Sequence, residues 1–354
     1  MDVAEGMVRR VFKAVADVDL PDPLPRMTYA EAIRRFGSDK PDLRFGLEMD
    51  DCSDAVRGSD FKVFSSVLET PEGVVKVLRV PDGKRVSNAR CKPKGDISKR
   101  ATDAGAGGLV VARVGADGTL EAAKPVVEGL ADGRWETIRA QIGATEGDLL
   151  LFAAGSPSVV NAALDKVRLF LGSELGEIRE GEHACLWVTH FPMFEKGEDG
   201  RLTALHHPFT LPREPEGDLA MSNAHAFDLV YNGVEVGGGS LRIHNPTLQR
   251  RVFDALGITP EEAQDKFGFL LRALASGAPP HGGLALGVDR LCMLLAQARY
   301  GLSAATSIRD VIAFPKTAQA ECLLAGAPSP VDEALLADVG LALCPTPAVA
   351  AETE

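Results

Sequence analysis

The chain has 354 residues, 45% of them hydrophobic and 25% charged, with a formal net charge of −12. This leaves room for two ordinary domains or one large one with a sizeable core, and it excludes a protein that coats nucleic acid by bulk electrostatics while leaving a local basic patch open. Cys52, Cys91, Cys185, Cys292, Cys322 and Cys344 are too scattered for zinc ligation or a disulfide framework and read as reduced thiols, and no run approaches 18 apolar residues, so no membrane span is expected.

In chain order, Val3, Met7, Val8, Val11, Phe12 and Val15 fall at helical spacing and predict an amphipathic helix over about 3–17. Its acidic residues Asp2 and Glu5 suit neither a signal nor a transit peptide, and Glu5 with Arg9 reads as a solvated pair on the helix face. The run LPDPLP (20–25) breaks this helix. Thr28 and Glu31 form a capping box for a second one, which Gly37 ends. Residues 37–49 are a charged, turn-rich loop. The β-branched runs 62–68 and 74–80, either side of Pro-Glu-Gly, predict a hairpin. A helix near 96–104, strands over 108–114 and 148–155, and a helix over 156–172 with Ser, Pro and Gly at its ends complete a compact α+β stretch.

The last third opens with a buried strand at 185–194. Residues 225–244 hold two strands turning at Asn232-Gly233. Helices follow over 246–257 and 259–277, the second with Thr259, Pro260 and Glu262 at its start. Residues 283–301 run from a strand through a turn into an apolar helix. The tail after Pro345 reads as disordered.

Three constellations carry chemistry. Asp228 and Glu235 lie on neighbouring strands and suit Mg²⁺, a hard cation that takes carboxylate oxygens together with phosphates. Gly237, Gly238, Gly239 and Ser240 follow and let a ligand lie against backbone; Arg242 then offers a planar fork to a carboxylate. Spacing alone does not separate this from an acidic surface strand with a glycine-rich bulge. Gly287, Val288, Asp289 and Arg290 place an arginine at a helix start, in reach of a polyphosphate or paired with Asp289 at the surface. His206 and His207, in HHPFT, either hydrogen-bond a ligand from a mobile loop or decorate a surface loop.

The order of these segments is more telling than any one of them. HHPFT, D-x6-E-V-G-G-G-S-x-R-I-H, GLALGVDRL and IRDVIAFPKT together resemble the last portion of the bacterial-type class II aspartyl-tRNA synthetase catalytic domain, with GLALGVDR similar to motif 3 and 27–49 to the segment after motif 2. The resemblance implies an α+β fold: an incomplete class II antiparallel sheet with helices (1–58 and 177–329), an inserted GAD-like α+β domain (59–176) and a C-terminal tail (330–354). It implies that Asp228 and Glu235 bind Mg²⁺ and ATP, that Arg242 clamps the substrate's side-chain carboxylate, and that His206 contacts aspartate from the closing loop. His207 stands beside them, and Gly287 to Arg290 form the ATP site with Arg290 against the γ-phosphate. Partners implied are ATP, L-aspartate and the acceptor end of tRNA, with a homodimer in the full-length family, in bacterial cytoplasm or an organelle.

The sequence also departs from that family. We find no OB-fold anticodon-binding domain, no motif 1, no motif 2 and no Q-S-P-Q-type segment. A half-built site with little adenylate formation alone is therefore expected, since each missing α-phosphate contact costs on the order of 10²–10³ in rate. An open sheet edge with poor solubility or an altered oligomer is expected with it. The stretch 296–307 is longer than usual, and His190 stands where the family reads D-F-P-M-F. The alternative reading is a non-catalytic synthetase-like binding or regulatory paralog, which need not keep Asp228, Glu235, Arg242 and Arg290. An amidotransferase subunit, which shares GAD-like units, is opposed by the motif 3 stretch.

Overall fold

A computed structural model of the chain describes residues 1–344 except 180, 198 and 304. The first helix, α1 (Asp2–Ala16), buries Val8 and Phe12, whereas Val3, counted in the apolar stripe, is 91% exposed. Glu5 is not solvated. Its carboxylate accepts from Trp187 Nε1 at 2.9 Å and from the Leu24 amide at 3.3 Å, while Arg9 turns to Asp22 at 2.6 Å. A partner 182 residues away leaves no trace in a helical repeat.

Strand β1 (Arg26–Thr28) leads into α2 (Tyr29–Phe36). Thr28 Oγ1 accepts from the Glu31 amide at 3.2 Å, and Gly37 at φ 69° closes the helix. Only half of the capping box forms, because the Glu31 carboxylate pairs with Arg35 at 2.7 Å.

The next segment crosses to a second sheet. After β2 (Met49–Asp51) and the turn α3 (Ser53–Val56), residues 62–68 form a helix, α4 (Lys62–Leu68), not the first strand of a hairpin. Phe61, Phe64 and Leu68 recur at helical spacing and pack into one core, and Ser66 Oγ donates back to Lys62 O at 2.7 Å. Burial of that aromatic face outweighs the β-propensity of the two valines. Strand β3 (Val74–Val80) pairs instead with β2 and with a later strand. Short helices α5 (Asn88–Cys91) and α6 (Asp96–Thr102) precede β4 (Val110–Val114) and β5 (Leu120–Ala122). Helices α7 (Lys124–Gly129) and α8 (Arg134–Ile142) had no counterpart in the sequence reading. Strand β6 (Leu149–Gly155) then enters the middle of the sheet, ordered β2-β3-β6-β4-β5 and antiparallel throughout. Leu149 and Leu151 face one core and Leu150 and Phe152 the other, so both faces are covered and the strand reads as a continuous apolar run.

Helix α9 (Pro157–Glu174) passes through Gly172, which packs rather than stops: a Cβ there would meet the Phe45 ring at 2.6 Å. Two buried cations fasten this part of the chain to α2 and the loop after it. The Arg168 guanidinium, fully buried, donates to Leu47 O (3.0 Å) and Asp42 O (2.6 Å) and lies between the rings of Phe36 and Phe45. Burial pulls it down to about 10. Lys76 Nζ donates to Asn161 Oδ1 at 2.7 Å and to the last carbonyls of α2.

Strand β7 (Cys185–Thr189) ends five residues before the expected boundary, because His190 adopts φ 58° with its Nδ1 2.9 Å from Thr189 Oγ1. A small hairpin, β8 (Phe194–Lys196) and β9 (Leu202–Ala204), comes next. Strands β10 (Ala226–Tyr231) and β11 (Val234–Leu241) turn at Asn232 and Gly233, both with positive φ as a tight hairpin demands. Helix α10 (Pro246–Ala255) is capped by Asn245, and α11 (Pro260–Ala275) by the expected Thr259–Glu262 box. Strand β12 (Gly282–Leu286) feeds α12 (Val288–Tyr300), and α13 (Glu333–Asp338) comes last.

The principal sheet is ordered β1-β7-β10-β11-β12, antiparallel apart from β1–β7. One face packs on α1 and α12, the other on α2 and α10. The molecule is α+β, and no helix among the described residues is long and apolar enough to cross a membrane.

Candidate functional site

The site is built by an irregularity in β11. Tyr231 pairs with Val234 and Val230 with Glu235, but then Leu229 pairs with Gly237 and Asp228 with Gly238, leaving Val236 as an extra residue. Side chains alternate along a strand, so Glu235 and Arg242, seven apart, would face opposite ways if β11 were regular. The bulge resets the alternation. Val236 drops into the core under α1 and α12, while Glu235, Gly238, Ser240 and Arg242 join Asp228 on the other face.

The two acids converge over one glycine. A Cβ on Gly238 would stand 2.3 Å from Asp228 Oδ1 and 3.6 Å from Glu235 Oε1. Gly237 and Gly239 have a different reason to be glycine: their Cβ atoms would strike the β12 carbonyls of Ala285 and Gly283 at 2.2 and 2.0 Å. Of the triple glycine, therefore, only Gly238 opens backbone toward a ligand. The other two admit the neighbouring strand.

A cavity of about 840 Å³ lies over this face, and every residue singled out from the sequence lines it, including His206, His207 and Gly287 to Arg290. The sequence did not single out Tyr29, Asp39, Phe191, Glu195 or Ile308, which line it as well. Asp39 sits in the charged loop after Gly37, where the density of turn residues was the one available signal.

Burial, with the charges of Glu235 and Asp39 added, pushes Asp228 up to about 7. Arg290 Nη1 donates to Glu235 O at 2.5 Å and lies 3.7 Å from its Oε2, so its partner is the β11 acid and not the adjacent Asp289. Arg242 Nη1 is 3.2 Å from His207 Nδ1, which also accepts from the Phe209 amide at 3.1 Å. A ring nitrogen that accepts twice carries no proton, so the imidazole is neutral with its hydrogen on Nε2. Burial, Arg242 and His206 together push His207 down to about 4. His206 instead stands edge-on to Phe191, centroids 4.9 Å apart; burial lowers its pKa against the pull of Glu235 and Asp39. The two histidines thus make different contacts.

The donor set fits a magnesium ion carried in with phosphate. Two carboxylates converge, and Asp228 has no cationic partner among the described residues. No group of three metal-ligating side chains occurs among them either, so a cation here needs phosphate or water oxygens to complete its shell. Arg242 and Arg290 bring positive charge to the same cavity.

Residues 1–318 match the sequence model of the class II tRNA synthetases (D, K and N). The chain is 52% identical over 338 residues to the aspartate–tRNA(Asp/Asn) ligase of Acaryochloris marina, an alignment covering 95% of this chain and 56% of that protein. It is 49% identical over 352 residues to the enzyme of the same name from a Cyanothece species, covering 99% and 58%. The chain thus spans little more than half the length of these relatives. Superposed on the solved aspartyl-tRNA synthetase from Entamoeba histolytica it reaches a TM-score of 0.29 at 19% identity over 44% of this chain and 26% of that one, too slight a likeness to bear on the fold. On the family match and these identities, the chain belongs to the class II tRNA synthetases of the D, K and N group.

Proposed function

We propose that this chain carries the aspartate- and ATP-binding core of an aspartate–tRNA ligase. The observation that supports it most is the bulge at Val236, which gathers a carboxylate-gripping fork and two metal-ready carboxylates on one face of one cavity. Arg242, braced by His207, grips the side-chain carboxylate of L-aspartate, with His206 on the closing loop. Asp228 and Glu235 would hold Mg²⁺ with ATP, and the ion would neutralise phosphate charge. Arg290 leaves its Glu235 contact for the γ-phosphate, and Gly287, Val288 and Asp289 shape the nucleotide end. The α-carboxylate of aspartate attacks the α-phosphorus, the bond to pyrophosphate breaks, and aspartyl-adenylate forms. A hydroxyl of the 3′-terminal ribose of tRNA then attacks the aspartyl carbonyl and releases AMP. Positioning and charge neutralisation carry the reaction, with no protein nucleophile.

In this reading residues 59–176 are an inserted GAD-like domain, and the ligase works as a homodimer. The polypeptide by itself activates aspartate slowly. Among the described residues the arginines that line the cavity are Arg242 and Arg290, and once these hold the substrate carboxylate and the γ-phosphate, none of the described lining arginines remains for charge developing at the α-phosphate. The presence of Asp228, Glu235, Arg242 and Arg290 around one cavity favours this over a non-catalytic paralog. Calorimetric titration with Mg–ATP, followed by aspartate-dependent ATP–pyrophosphate exchange, tests it. We expect saturable Mg–ATP binding and weak exchange. No binding sinks the ligase reading; exchange at the rate of an ordinary synthetase sinks the claim of a missing α-phosphate contact.

A further inference from the structure

The negative charge of the chain is unevenly spread. Between Gly83 and Arg100 lie Lys84, Arg85, Arg90, Lys92, Lys94, Lys99 and Arg100 against the single carboxylate of Asp96, a net of +6 that leaves the rest of the chain at −18. Two of these cations are neutralised: Arg85 by Glu177 at 2.5 Å and Arg90 by Asp96 at 2.5 Å. Lys84, Lys92, Lys94, Lys99 and Arg100 are exposed and make no ion pair among the described residues.

The segment is also rigid. Arg113, from β4, donates to Gly83 O (2.7 Å), Val86 O (2.6 Å) and Asn88 Oδ1 (2.9 Å). The turn presenting Lys92 and Lys94 closes with the Gly95 amide on Lys92 O at 2.7 Å, where any Cβ at 95 would meet Arg90 O at 2.2 Å. Ser98 Oγ donates to Cys91 O at 2.6 Å, and the Arg100 guanidinium lies 3.6 Å over the Phe170 ring. A charge run held this firmly loses little backbone freedom on binding. Its Val86, Cys91 and Ile97 point into the core, and only Ala89 and Pro93 are apolar and exposed, so it has no apolar stripe to enter a bilayer as a membrane-bound helix requires.

We propose that this face, built on the second sheet and outside the cavity, docks the phosphate backbone of a folded RNA. It rests on the reading of the chain as a tRNA-charging enzyme and names a second place where the RNA is held. Four lysines act there as point charges that neutralise phosphates without reading sequence.

The test measures binding of a tRNA transcript to the full chain by fluorescence anisotropy across a salt series. Each phosphate contact contributes about 0.9 to the slope of log K against log salt. The variant Lys84→Gln/Lys92→Gln/Lys94→Gln/Lys99→Gln should therefore flatten that slope by about 3.6 and weaken binding at least tenfold near 0.1 M salt. Lys92→Gln/Lys94→Gln alone, confined to the fixed turn, should flatten it by about half as much. Lys62→Gln/Lys124→Gln/Lys196→Gln/Arg201→Gln makes the same change in net charge elsewhere and should leave the slope in place. Equal slopes in wild type and patch variant overturn the proposal, as does an equal loss in the control, or binding to phosphatidylserine vesicles without binding to RNA. Mg–ATP titration of the same samples separates the two readings. A chain that binds Mg–ATP but not RNA sinks only this proposal, and one that binds RNA but not Mg–ATP sinks only the ligase.

Discussion

Replacing Asp228 with Asn should stabilise the fold and abolish the proposed Mg–ATP binding together. The carboxyl is held mainly by burial, and secondarily by Glu235 and Asp39, at about 7 against an ordinary value of 3.8. About three units at ~1.4 kcal/mol each put the cost of holding the charge near 4 kcal/mol, and solvent at the cavity mouth trims this to about 2–4 kcal/mol. The folded chain keeps this proton up to about pH 7, whereas the unfolded chain releases it near 3.8. Unfolding therefore releases a proton between those values, and this term falls away as pH rises through the window. Asp228→Asn removes the penalty. Urea titrations should show the variant level with wild type near pH 4, more stable by about 2–4 kcal/mol at pH 8, and unchanged above that. Mg–ATP at a hundred times its dissociation constant should stabilise wild type by about 2.7 kcal/mol and leave the variant unmoved. A variant that is less stable at pH 8, a gap that ignores pH, or equal stabilisation by Mg–ATP would refute the argument that Asp228 is strained for a cation.

Arg242→Lys keeps the charge and loses the fork; aspartate affinity should fall by on the order of 10-fold to 100-fold in calorimetry with Mg–ATP binding preserved, and an equal loss of both would contradict the assignment. Gly238→Ala forces a methyl to within 2.3 Å of Asp228 Oδ1, so Mg–ATP binding should drop sharply in the same titration while far-ultraviolet circular dichroism stays native. Arg168→Met strips donors from the carbonyls of Asp42 and Leu47 and should cost about 3–5 kcal/mol in chemical denaturation; a loss under about 1 kcal/mol would show those carbonyls to be hydrated already. Trp187→Phe removes a donor from the buried Glu5 carboxylate and should cost about 1–3 kcal/mol by the same measurement.

Local rules carried the sequence reading far where the signal was local. The box at Thr259 and Glu262, the turn at Asn232-Gly233, and the strand-turn-helix leading to Arg290 all depend on residues within a few positions of one another. The residues of the cavity were legible as motifs, and their convergence followed from the resemblance and not from spacing. Spacing along β11 argues against Glu235 and Arg242 sharing a face, and only the slipped pairing with β10 reverses that. The misreadings share a cause. Residues 62–68 were counted as β-branched when Phe64 decided the matter by burial. Gly172 was taken for a helix end because the ring of Phe45, 127 positions away, is invisible from its neighbours. Glu5 was misplaced for the same reason.

Arg168 belongs to the stretch between the two halves of the principal sheet, yet the carbonyls it grips lie in the loop that also presents Asp39 to the cavity. That loop leans on the β10–β11 turn through Asp42, where a Cβ on Gly233 would come within 2.9 Å. The intervening module is thus riveted to the wall of the pocket and is no detachable passenger. Splicing it out and bridging the gap with a flexible linker would leave the β10–β11 hairpin without its buttress.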